Sequence, residues 1–185
     1  MSRPARWLAV ALLVCLAAPA AAPGASRVQT FFRATLLEDE RTTSAVKRLL
    51  RDRGFVVPDV TFADITGDGR TDAIVRVSGG GSAGAVAVYV FSTHALRSSR
   101  SDALRAVFRN QRLYRAAAQA GGGGLVLRTP RYAAGDDLCC PGRLLERTYT
   151  WSTRRRTLVR RATREVDAPT AATVEAPVNA EAGGT

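Results

Sequence analysis

The hydrophobic rhythm of the chain changes near Gly54. Before it, Val28, Phe31, Phe32, Thr35 and Leu36 recur at helical spacing, and Val46, Leu49 and Leu50 fall on one face of a second run. Apolar residues three and four apart share a helix face, so both segments are expected to be helical. Thr43 or Ser44 can cap the second run, because a hydroxyl there accepts an amide that the first turn leaves unpaired, and Gly54 can end it. Arg48, Arg51 and Arg53 then lie toward solvent. After Gly54 the pattern is that of strands: Val60–Ala63, Ala73–Val77, Ala85–Phe91, Leu104–Phe108, Leu113–Ala118, Leu125–Arg128, Leu144–Trp151 and Thr157–Arg164 are short, β-rich and separated by turn residues. Most of the connections are too short for a parallel crossover, which implies antiparallel pairing. The expected class is α+β, with N-terminal helical segments packed on a mainly antiparallel, meandering sheet of about six to eight short strands.

A different pattern precedes the first helix. Trp7 to Leu16 is uncharged and apolar, Arg3 and Arg6 make a positive start, and small residues follow, with Ala18-Pro19-Ala20 in the small-x-small arrangement that a signal peptidase reads. The run is shorter than the ~20 residues that span a bilayer. Residues 1–20 are therefore expected to be a signal peptide, cleaved between about residues 20 and 25, with no transmembrane anchor left afterwards. Cys15 would be lost with it. A lipoprotein reading would instead keep Cys15 as a lipidated first residue, but Val14 stands where the lipid-signal peptidase needs a small side chain. At the other end, residues 167–185 hold no aromatic residue and no periodicity, and are expected to be a disordered Ala/Pro/Thr-rich tail. One domain is left, residues 27–166.

Composition supports a folded domain, since 46% hydrophobic residues against 23% charged supply a core. The formal charge is +11, and loss of Arg3 and Arg6 leaves 25 basic against 16 acidic residues, a net +9. Lys47 is the only lysine, an arginine bias that GC-rich coding produces by itself. Such a charge draws the chain toward anionic cell-wall or surface polymers by a force that salt screens, without specifying a nucleic acid.

Candidate chemistry is concentrated in Asp64-Ile65-Thr66-Gly67-Asp68-Gly69-Arg70-Thr71-Asp72, between two expected strands. Oxygen-bearing side chains occupy alternate positions. A calcium ion takes six to eight hard oxygen ligands around a tight loop, and this spacing offers the carboxylates of Asp64, Asp68 and Asp72, the hydroxyl of Thr66 and the carbonyl of Arg70. The pattern matches the first nine positions of an EF-hand loop. Val75, where that motif needs a bidentate glutamate, and the strand-like residues that follow exclude an ordinary EF-hand. The alternative is an Asp/Gly turn whose carboxylates cap backbone amides without a metal.

The stretch from Phe62 to Val75 resembles the strand-loop-strand of FG-GAP and VCBS-type repeats. The resemblance implies calcium ligands at Asp64, Asp68 and Asp72 and at the main chain of Arg70, with Thr66 where that family often has Asp or Asn. It covers about fourteen residues, and there is no second copy in the chain, so a propeller is not expected.

Other residues carry weaker chemistry. Cys139 and Cys140 are adjacent, so a bond between them would close a small ring; the alternatives are buried thiols, an interchain disulfide or a redox switch. The glycine runs 78–84 and 121–124 lack the Gly-Lys-Ser/Thr ending of a P-loop and are expected to be hairpin loops. Arg154-Arg155-Arg156 reads as a solvated turn. Tyr114, Tyr132, Tyr149 and Trp151 could form a stacking platform or could belong to the core. His94 has no visible catalytic partner. The expectation is an exported, secreted or envelope-associated, non-catalytic binding domain with calcium as a structural ion. A wall-directed hydrolase and a structural or inhibitory module are the alternatives.

Overall fold

The computed structural model describes residues 26–57, 60–80, 84–93 and 104–169. The expected signal peptide, Cys15, His94 and the tail beyond residue 169 lie outside them. Helix α1, Arg27–Glu38, starts at a reciprocal cap in which Ser26 Oγ accepts the Gln29 amide and the Gln29 side chain accepts the Ser26 amide. Helix α2, Ser44–Asp52, is capped by Thr43, and the Arg53 and Gly54 amides both close on the Leu49 carbonyl. Nine strands follow: β1 Phe55–Val56, β2 Thr61–Ala63, β3 Asp72–Ser78, β4 Ala85–Ser92, β5 Arg105–Asn110, β6 Ala117–Gly121, β7 Gly124–Arg131, β8 Arg143–Ser152 and β9 Thr157–Asp167.

These strands form two antiparallel sheets, which corrects the α+β expectation of one meandering sheet under helices. In the first sheet β3 carries both short strands β1 and β2 on one side and β4 on the other, with β5 beyond; the second is the meander β6-β7-β8-β9. Strands take 47% of the described residues and the two helices 16%, a sheet-rich fold. The break falls inside the expected strand Leu113–Ala118. Pairing of β5 with β4 ends at Asn110 opposite Val88, so the start of β4 is left with open carbonyls, and the chain crosses that edge. There Leu113 N–H donates to Val86 O and Ala116 N–H to Ala85 O, both at 3.0 Å. Arg115 takes a left-handed φ of 48° between them, and the chain leaves to begin the second sheet at Ala117.

Three layers result. On one face of the first sheet, Val75, Val77, Tyr89 and Phe91 pack against Phe32 and Leu36 of α1 and Val46 and Leu50 of α2. On its other face, Ile74, Val88 and Val90 pack against Leu125, Leu127 and Leu158 of the second sheet. Strands β3 and β4 are thus buried on both faces, which is why they read as near-continuous apolar runs rather than alternating ones. The Tyr89 phenol, pushed up to about 12 by burial, donates to Gln111 Oε1 at 3.0 Å. Gln111 Nε2 donates in turn to Arg41 O, tying the α1–α2 connection to the sheet.

On the outer face of the second sheet, Arg128, Glu146 and Arg164 stand opposite one another across β7, β8 and β9. Glu146 is buried, with Arg128 on one carboxylate oxygen at 2.8 Å and Arg164 on the other at 2.6 Å. Hydrogen bonds from Arg128 and then Arg164 hold its carboxyl below the ordinary glutamate range. A carboxyl whose folded pKa is depressed stabilises the fold above its unfolded pKa, and that contribution is lost as pH falls through the folded value. Urea midpoints measured from pH 7 downward should therefore fall as the pH drops below about 4.3, and Glu146→Gln should flatten the part of that decline that Glu146 causes. An identical decline in the variant would count against this pairing.

Candidate functional site

The loop singled out by its acidic spacing closes the hairpin between β2 and β3, with Ala63 and Asp72 as the last pair before it. Its placement is set by a residue that the acidic pattern does not reveal: Ile65 is 1% exposed and sits in the core between the two sheets. This anchor draws one side of the loop inward. Thr66 and Asp72 are consequently buried, whereas Asp64, Gly67, Gly69 and Arg70 remain at the surface.

The loop binds its own backbone. Asp64 Oδ1 accepts from the amides of Gly67 at 2.6 Å and Asp68 at 3.1 Å, and Oδ2 from Gly69 at 2.8 Å. Asp68 Oδ1 accepts from the Arg70 amide at 2.9 Å. Asp72 Oδ2 accepts from both Ile65 and Thr66 at 2.8 Å. Gly67 and Gly69 have φ of 73° and 78°, the left-handed conformation that lets the chain turn beneath Asp64. The amide-capped turn considered from the sequence is therefore present. Two oxygens are left over: Asp72 Oδ1 and Thr66 Oγ1 are buried with no hydrogen-bond partner among the described residues.

A buried carboxylate oxygen without a partner costs about 1–3 kcal/mol or more, so its retention calls for an explanation. Both leftover atoms are hard oxygens, and the lone pairs of Asp64 and Asp68 are not exhausted by their amide bonds. These leftover donors are of the hard-oxygen type that a calcium ion takes, and they are centred on Asp72 and Thr66. Among the described residues no three His, Cys, Asp or Glu side chains converge into a metal-binding cluster. The carboxylates of Asp64, Asp68 and Asp72 are thus spread along the loop rather than gathered at one point.

The adjacent cysteines lie in the exposed connection between β7 and β8, joined to each other with Cα atoms 3.8 Å apart. This connection is held from outside by Arg115, whose guanidinium donates to the carbonyls of Leu138 and Cys139 and to the Tyr132 hydroxyl. Within it, Asp136 accepts from the amides of Ala133 and Gly142, which hold its carboxyl below the usual range. Glycines 121–124 form a tight hairpin turn, Gly122 and Gly123 having φ of 59° and 68° and Gly121 pairing with Gly124. Arg154-Arg155-Arg156 occupies the exposed β8–β9 turn.

The aromatic residues divide. Tyr149 and Trp151 pack on the core, Tyr149 edge-on to Phe108 at 4.8 Å between ring centroids. Tyr114 and Tyr132 lie 6.4 Å apart and both line a cleft of about 400 Å³ bounded by residues of β7, β8 and β9 and of the segment that crosses between the sheets. Arg112, Arg147 and Arg160 also line it. Sequence reasoning missed these arginines, although Arg147 and Tyr149, two apart on β8, share one face by strand alternation. Among the described residues no helix is long and apolar enough to cross a membrane. No protein-family model, curated protein or solved structure matches the chain.

Proposed function

We propose that the chain is an exported, non-catalytic binding domain whose β2–β3 loop is stabilised by calcium. The observation that carries the calcium assignment is the pair of buried, partnerless oxygens, Asp72 Oδ1 and Thr66 Oγ1, inside a loop whose other carboxylate oxygens cap its own amides. The resemblance of residues 62–75 to calcium-binding repeat loops supports the same reading. Export is supported by the positive, apolar and small-residue zones of residues 1–20, and the net charge of +9 left after loss of Arg3 and Arg6 favours an anionic wall or surface polymer as partner. In the secreted or envelope-associated setting that export implies, calcium would act as a structural ion.

Thr66→Val separates an ion ligand from a merely tolerated hydroxyl. The substitution nearly preserves shape. Without an ion it removes a buried polar atom that has no partner, so in chelator the variant should melt at the same temperature as the parent or above it. With calcium the parent gains stability as RT ln(1 + [L]/Kd), about 2.7 kcal/mol at a hundredfold excess over Kd. The variant should then gain less at equal calcium. Equal calcium-induced shifts in parent and variant would remove Thr66 from the ligand set.

A further inference from the structure

The arginine-lined cleft is a candidate site of its own. Several arginines beside other clefts meet carboxylates: Arg109 pairs with Asp39 at 3.2 Å, and Arg131 and Arg143 pair with Glu165 at 2.8 and 3.4 Å. Arg128 and Arg164 share Glu146. Arg112, Arg147 and Arg160 form no ion pair among the described residues, yet all three line one cleft. Arg147 is half-buried, and its guanidinium is steered by a bond from Nη1 to Thr129 Oγ1 at 3.1 Å, a neutral partner that leaves the charge uncompensated. A half-buried cation held in place without a counter-charge is poised for an external anion, and arginine suits planar or tetrahedral oxyanions through paired N–H donors. Arg160 stands directly opposite Tyr149 in the β8–β9 register, which places the second cation on the same floor.

The aromatic lining indicates what the anion is attached to. Tyr114 is 50% exposed, and its ring is tilted by 51° to that of Tyr132. Two inclined aromatic faces present apolar surface to a puckered ring with polar edges. A volume of about 400 Å³ holds a short stretch of sugar units rather than a long strand. We infer that this cleft binds an acidic saccharide, its carboxylate or other oxyanion on Arg147 and Arg160 and its ring against Tyr114 and Tyr132. The inference rests on the binding-domain reading above and gives it a ligand class, but it is independent of the calcium loop.

Calorimetric titration of the protein with a uronic-acid trisaccharide tests it, alongside the neutral trisaccharide and a short single-stranded oligonucleotide. The acidic sugar should bind, and the neutral one should bind at least about tenfold more weakly, as expected for loss of charge-assisted hydrogen bonds. The double variant Arg147→Gln/Arg160→Gln should lose at least that factor. The distant pair Arg154→Gln/Arg155→Gln, which removes the same charge from the β8–β9 turn, should leave affinity unchanged. Tyr114→Ala, at an exposed position, should also weaken binding and serves if the double arginine variant does not fold. Equal loss in the distant pair, equal binding of the neutral sugar, tighter binding of the oligonucleotide or no binding of the acidic sugar would each overturn the inference. The calcium-dependent melting shift would stand under any of these results, so failure of the cleft is distinguishable from failure of the loop.

Discussion

Asp72→Ala is expected to destabilise the protein by about 2–4 kcal/mol in chelator, measured by urea unfolding. The size follows from what Asp72 Oδ2 holds: the amides of Ile65 and Thr66, both at 2.8 Å and both in buried residues. Each would lose its acceptor out of reach of water. The strain reaches further than the loop because Ile65 is the residue that fixes the hairpin in the core. Against a typical total of 5–15 kcal/mol, this is a large fraction. Asp72→Asn keeps an oxygen in place and should cost less in chelator, while still losing calcium-dependent stabilisation. A loss below about 0.5 kcal/mol for Asp72→Ala would show that the loop is not coupled to the core as described.

Gly124→Val should be at least as damaging, at about 3 kcal/mol or more. Gly124 begins β7 opposite Thr150, and a Cβ there would run into the Tyr149 carbonyl oxygen, a backbone atom that no side-chain rotation can move away. The first pairs of the β7–β8 ladder would have to open. Gly123→Ala, one residue earlier in the turn, is the comparison. Its φ of 68° disfavours a side chain, but nothing lies within 4 Å of the new atom, so only the conformational cost of about 1–2 kcal/mol should appear. Thermal melts of both variants test the difference. Equal losses would mean that turn conformation, not the close approach to β8, makes glycine necessary at position 124.

What could be read from the sequence is what local chemistry decides. The cap at Thr43 and the halt at Gly54 depend on residues within a few positions of each other, and the structure has both. Most strands were visible because β-branched runs between turn residues need no knowledge of their neighbours. The two-sheet division was not visible, since it depends on where β5 stops along β4 and on the crossing segment that covers the remaining carbonyls. Strand β1 has two residues and no pattern of its own; it exists because Val77 and Ser78 offer it an edge.

The loop shows the same boundary. Acidic residues and glycines at alternating positions mark a tight turn, and Asp64 forms its amide bonds within five residues. The burial of Thr66 and Asp72 is a tertiary result of Ile65 entering the core, so the two partnerless oxygens could not have been foreseen. Likewise, alternation puts Arg147 beside Tyr149 on one face of β8, but further lining comes from residues 112–114, brought there by the crossing between sheets, and from Tyr132 just after β7.

The proposal that calcium holds the β2–β3 loop is tested most directly by the melting temperature of the unaltered protein in millimolar calcium and in excess chelator. The account predicts a higher midpoint with calcium, with magnesium giving a smaller rise because it demands a tighter octahedral set of oxygens. Superimposable melts in calcium and chelator would contradict it, leaving the β2–β3 loop as an amide-capped turn.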